Sequence, residues 1–190
     1  GFRLSEWAQT RKYSYERVTN TNDSRAMINS DWLFYDQNGH IIDKTPSKSS
    51  RVFRVDICWR FQKNKQNGEV ISFWRDNVEP RFCPVRAAWR ISLRALRLGI
   101  PAQQPIGQFF DHTRRCMAFM NAPECESYMR AVAKLTTGIT DDTTINALFG
   151  MHSIRVTACN ELARLGVTDS FIQRRLRWRS MTFLDYLRNN

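Results

Sequence analysis

From Phe53 to Gln62 the chain alternates without a break: Phe53, Val55, Ile57, Trp59 and Phe61 take one parity, and Arg54, Asp56, Cys58, Arg60 and Gln62 the other. A repeat of two is the period of a strand, and a strand with one apolar face needs a core on that side and water on the other. Asn67-Gly68 turns this strand into "VISFW". Upstream, "DWLFYD" and "HIID" flank Asn38-Gly39, a second hairpin signal. These segments predict a small antiparallel sheet of about three strands near the N-terminus, with a short helical piece, "GFRLSEWAQ", ahead of it.

After Pro84 the punctuation becomes helical. "PVRAAWRISLRALRLG" has proline at its start and glycine at its end, with Val85, Trp89, Leu93 and Leu96 on one side. A second helix is predicted over "PECESYMRAVAKLTTG". A third runs from about Ser153 to Leu165 and ends at Gly166; another follows the Thr168-Asp169 cap, and a short one holds "TFLDYLRN". The prediction is therefore α+β, mostly helical with one small sheet. With 42% apolar residues in 190, the chain fits a single globular domain over 1–190 with a real core. It opens on Gly1 and reads as an N-terminally truncated piece.

Lysine and arginine outnumber aspartate and glutamate by 29 to 18, a net charge of +11 that points to a polyanionic partner, nucleic acid first. Part of that charge is ordered. Arg86, Arg90, Arg94 and Arg97 recur at helical spacing as one stripe with no acidic residue among them, a candidate face for phosphate contacts or a solvated face with arginine stems over apolar neighbours. The five cysteines are odd in number and form no C-x-x-C pair, so neither a disulfide framework nor a zinc site is indicated, and a reducing, intracellular compartment fits. No apolar run of about 18 residues suggests a membrane span, and no signal peptide is evident.

The remaining feature is "HSIRVTACNELARLGV", with His152 and Arg155 one turn apart at a helix start, where both side chains can reach one phosphate. Alone the pair is common. It stands, however, in an ordered set: "GFRLSEW" upstream, "RRLRWRS" with Trp178 lying 23 residues after Arg155, and Tyr186 eight residues after Trp178. In order and spacing these residues resemble the catalytic domain of the tyrosine recombinases (phage-type integrases) over essentially the whole chain. "GFRLSEW" is similar to the segment that carries the family's first catalytic arginine, here Arg3, with an acidic supporter, here Glu6. Trp178 stands at the family's histidine-or-tryptophan position and Tyr186 at its nucleophile. The family's lysine lies on the hairpin of the small sheet, where "FQKNKQNGE" offers Lys63 and Lys65 on the same parity; aligning the Gly68 turn with the family pattern favours Lys63. The sequence departs from the pattern at Arg177, where the family has glycine, and it lacks the helix preceding Arg3 and the separate N-terminal DNA-clamping domain.

The resemblance implies an enzyme that breaks and rejoins double-stranded DNA through a 3'-phosphotyrosyl intermediate, with no metal or other cofactor, assembling as a dimer or tetramer on DNA. Tyr186 is then the nucleophile. Arg3 and Arg155 grip the non-bridging phosphate oxygens, and His152 is general base or donor. Trp178 donates its indole N–H to the same phosphate, and Lys63 protonates the leaving 5'-hydroxyl. "RWRSMTFLDYL" looks closer to eukaryotic mobile-element recombinases than to bacterial ones, which would place the protein in a nucleus, or in the cytoplasm or nucleoid if the source is not eukaryotic. Two other readings share the residues: a DNA-binding remnant that has lost catalysis, and a type IB topoisomerase.

Overall fold

The alternation is met by strand β2, Arg54–Trp59, whose Val55, Ile57 and Trp59 are all buried in the computed structural model of the chain, which describes residues 26–61, 67–178 and 180–187. β1 (Trp32–Tyr35) and β3 (Glu69–Trp74) pair with β2 on either side, both antiparallel, giving the order β1-β2-β3. In register, Trp32 stands opposite Ile57 and Phe34 opposite Val55, so the buried parity is shared across strands. Helix α1 (Pro84–Arg97) packs on that face through Val85, Ala88, Trp89, Ser92 and Ala95. The Phe34 and Trp89 rings meet edge to face at 4.9 Å, a geometry that adds to the roughly 1.5–3 kcal/mol from burying each large apolar side chain.

Three local details differ from the sequence expectation. "HIID" is not a strand: Ile41 makes one bridge to Tyr35, because the Asp36 carboxylate accepts from the backbone N–H of Asn38 and of His40 and curls the chain back tightly. Leu96 is half exposed, while Ala95 beside it takes the fully buried place. A second hairpin, β4 (Gln108–Asp111) with β5 (Cys116–Phe119), occupies a stretch with no apolar alternation. Its loop holds Arg115 at φ 52°, where a side chain crowds the backbone. Relief of about 1–2 kcal/mol in the left-handed region, less about 0.5–1 kcal/mol for glycine's freedom in the unfolded chain, should make Arg115→Gly more stable by about 0.5–1 kcal/mol. Urea unfolding checks this, and an unchanged or lower midpoint would refute it.

Near the start of the described chain, Asp31 is buried and forms a two-pronged ion pair with Arg60, Nη2 to Oδ1 at 3.0 Å and Nε to Oδ2 at 3.3 Å. Lys44 lies beside it, its ammonium donating to the Asn29 carbonyl and, at 2.9 Å, to Asn29 Oδ1. Burial pushes this lysine down to about 8, while the Asp31 charge pulls the other way. Below pH 8 the amine is charged in folded and unfolded chains alike. Between about 8 and the ordinary value of 10.5 the unfolded chain holds a proton that the folded chain has released, so stability rises with pH across that window. Denaturation at pH 8 and pH 10 should show a larger gain for the native sequence than for Lys44→Met; equal gains would remove Lys44 as the cause.

The described residues fall into two compact units, 26–120 and 121–187, each with its own core. The second unit is all helical: α2 (Ala122–Thr137), α3 (Asp142–Leu148), α4 (Met151–Arg164), α5 (Asp169–Arg175) and α6 (Leu184–Leu187), the last preceded by a 3₁₀ turn, Met181–Phe183. Asn121 caps α2, accepting from Glu124 N, while Glu124 accepts from Asn121 N. α3, absent from the sequence expectation, is seven residues long and capped by the Asp141 carboxylate. Cys159, Ile172, Leu176 and Phe183 make the core of this unit. All five cysteines are free thiols. Among the described residues, no helix is long and apolar enough to cross a membrane.

Candidate active site

One face of α4 carries His152, Arg155, Cys159 and Leu162, a spacing of three, four and three that keeps them in line. Cys159 is fully buried, Arg155 is 7% exposed and His152 is exposed, so the line climbs from the core to the surface at the start of the helix. Ser153 sets that start: the Gly150 N–H donates to its Oγ at 3.0 Å, and the hydroxyl donates to the Leu148 carbonyl at 3.1 Å. The first turn of α4 itself holds no acidic residue.

The other two residues arrive by way of α5. That helix ends with the Trp178 N–H bonded to the Gln173 carbonyl at 2.9 Å and the Arg177 N–H to the Arg174 carbonyl at 3.1 Å. The pair is the Schellman arrangement, which requires a left-handed residue between the two. Arg177 supplies it at φ 57°. α4 closes in the same way, with Gly166 at φ 72° and the bonds Val167 to Leu162 and Gly166 to Ala163. Position 177 therefore has the backbone that glycine adopts most easily, although arginine occupies it, 4% exposed.

This turn delivers Trp178 onto Arg155, whose guanidinium carbon lies 4.7 Å from the indole centroid. Arg155 Nη2 also donates to the Leu176 carbonyl. Tyr186, on α6, reaches His152: Nε2 and Oη are 3.0 Å apart and the ring centroids 5.3 Å. Its ring is also 5.3 Å from that of Trp178, tilted by 50°. The Trp178 Nε1 atom is buried and has no hydrogen-bond partner, a donor without an acceptor. Burial pushes the Cys159 thiol up, with the Arg155 charge pulling it back.

Four of the predicted site residues, His152, Arg155, Trp178 and Tyr186, are thus gathered in the second unit. Arg3, Glu6, Lys63 and Lys65 lie outside the described residues. The α1 arginines belong to the first unit and are not equivalent. Arg94 is half-buried and donates to the Ile106 carbonyl at 3.0 Å, burial lowering its pKa, whereas Arg90 and Arg97 are exposed and Arg86 is intermediate. Sequence reasoning missed the Leu176 carbonyl, since a backbone acceptor leaves no residue-type signature. It also missed Glu126, whose carboxylate accepts from the Met151 N–H at 3.5 Å and places a negative charge at the start of α4. Among the described residues, no group of three or more His, Cys, Asp or Glu side chains is placed to hold a metal ion. No family model, no curated protein and no solved structure matches the chain.

Proposed function

We propose that the protein cuts and rejoins DNA strands through a covalent bond between Tyr186 and a 3'-phosphate. One contact carries the reading: His152 Nε2 stands 3.0 Å from Tyr186 Oη although the two residues are 34 positions apart, with Arg155 and Trp178 against them. A tyrosine hydroxyl titrates near 10, so a phenolate at pH 7 costs about 4 kcal/mol before any bond forms. A base at hydrogen-bond distance and a cation nearby offset that cost.

In the proposed step Tyr186 Oη bonds to phosphorus as the bond to the 5'-oxygen breaks. The phenolic proton passes to His152 Nε2, and the departing 5'-oxygen takes up a proton, from Lys63 by the family resemblance. Arg155 stabilises the charge that accumulates on the non-bridging oxygens, with Arg3 as its counterpart by the same resemblance. The partnerless Trp178 indole N–H is a donor suited to one of those oxygens. The phosphotyrosyl bond conserves the energy of the broken phosphodiester, and a second 5'-hydroxyl reverses the step. In the dimer or tetramer that the resemblance implies, separate copies would act on the two strands of a duplex.

The test is incubation with a pool of nicked duplexes followed by denaturing electrophoresis. A detergent-resistant protein–DNA species supports the reading. Salt-sensitive binding with no such species would instead favour a DNA-binding protein without catalysis.

A further inference from the structure

The first unit carries an open crevice of about 80 Å³ beside the first turns of α1, lined by Arg75, Arg86 and Arg90 together with Val85 and Trp89. Among the described residues that line it, none is acidic. Arg75 is locked in place: its Nη1 donates to the carbonyls of Ser49 and Ser50 at 3.1 Å and of Val52 at 2.9 Å, and its Nε to Asn77 Oδ1 at 3.3 Å. Arg86 Nη2 reaches the same Asn77 oxygen at 3.5 Å, so one amide holds two guanidiniums side by side. No carboxylate of the described residues lies within ion-pair distance of these three arginines.

Two donors are left over. Trp89 is 3% exposed, and its Nε1 has no hydrogen-bond partner; Arg86 Nε is buried and unpartnered too. The helix adds to the charge, because the first turn of α1 contains no acidic residue and Cys83 provides no side-chain cap. Three like charges around a small space repel one another, and buried donors without acceptors are costly, so the arrangement is relieved when an anion with several acceptor oxygens enters. The crevice, about 80 Å³ and open on one side, has room for one phosphate group.

We propose that this crevice holds one phosphate of a nucleic-acid backbone, gripped by Arg86 and Arg90 over the fixed Arg75. The source of the phosphate rests on the DNA reading above; the affinity for phosphate does not. The proposal also divides the α1 stripe, since Arg94 is committed to the Ile106 carbonyl and only Arg86 and Arg90 face the crevice.

Two measurements on the full chain test it, both with the Arg86→Gln/Arg90→Gln double variant as comparison and matched thermal midpoints as the check on folding. In the first, inorganic pyrophosphate is titrated while the Trp89 indole N–H resonance, assigned with Trp89→Phe, is followed. The resonance is expected to shift in the native chain and to stay in place in the double variant. In the second, the affinity for a 20-base-pair duplex is measured against salt, and the slope of log K on log salt is expected to fall by about 0.9, the value for one phosphate contact. If the double variant unfolds, Arg86→Lys/Arg90→Lys replaces it and is expected to weaken pyrophosphate binding at least about threefold through loss of the planar fork. A native resonance that pyrophosphate does not move would overturn the anion site. A shift with an unchanged slope would overturn the backbone assignment and leave a site for free phosphate. A slope change in a chain that forms no Tyr186 adduct would retain the crevice and sink the strand-cleavage reading alone.

Discussion

With Tyr186 replaced by phenylalanine, the chain is expected to form no covalent species with nicked duplex DNA, where the proposed reaction gives the native chain one. The substitution removes one atom, the Oη that His152 Nε2 contacts at 3.0 Å, and keeps the ring that packs beside Trp178 and His152. The lost hydrogen bond is exposed to solvent and contributes no more than about 1 kcal/mol, so the helical unit should melt within a few degrees of the native chain. Loss of chemistry without loss of fold distinguishes a nucleophile from a packing residue. The readout is the adduct band together with circular dichroism melting. An adduct that persists in Tyr186→Phe would show that another residue attacks.

Arg155→Ala is expected to be the second severe change, and it acts on two levels. The guanidinium is buried, donates to the Leu176 carbonyl and lies over the Trp178 ring. Removing it leaves a buried acceptor unpaired, at about 1–3 kcal/mol, and ends a cation–π contact worth about 0.5–2 kcal/mol. The unit loses stability accordingly. Cleavage should fall further than the folded fraction does, by about 10²–10³ per folded molecule, the usual effect of deleting one donor to a charged transition state. Single-turnover cleavage, corrected for the folded fraction, measures the second term. A native rate per folded molecule would make Arg155 a structural residue only.

The parts of the fold legible in the sequence are those in which one periodicity acts alone. The two-residue repeat around Val55, Ile57 and Trp59 announces a strand with one buried face, and that face is buried. Proline and glycine bracket α1, and Gly166 stops α4, because each supplies a backbone angle that few other residues supply cheaply. The β4–β5 hairpin was not legible: Phe109 and Phe110 are neighbours, so no parity emerges, and the loop is held by Asp111 Oδ1 accepting from the Thr113 and Arg114 N–H groups. In the candidate site, His152, Arg155, Trp178 and Tyr186 were nameable only through the family resemblance, and the structure places the four side by side. Their arrangement was not legible, because it depends on an arginine at φ 57° and on a backbone carbonyl at Leu176. The α1 arginines make the same point: helical spacing says nothing of which one turns back to a carbonyl, as Arg94 does.

Phe183 fixes how far the proposed nucleophile can travel. Its side chain is fully buried in the core of the helical unit, and Tyr186 follows it by only three residues, on a helix of four. A helix that short has little stability of its own, and what holds it is the packing of Leu184, Tyr186 and Leu187 against the core of the unit, which must be given up for the segment to unwind. Three residues drawn straight span about 10 Å, which makes Phe183 an anchor and the segment after it a leash of that length. The same three residues span about 5 Å when helical, so a DNA end bonded to Tyr186 could shift outward by about 5 Å toward a new partner strand while the anchor holds. A longer exchange would require the strand to move, because the protein that holds it cannot follow.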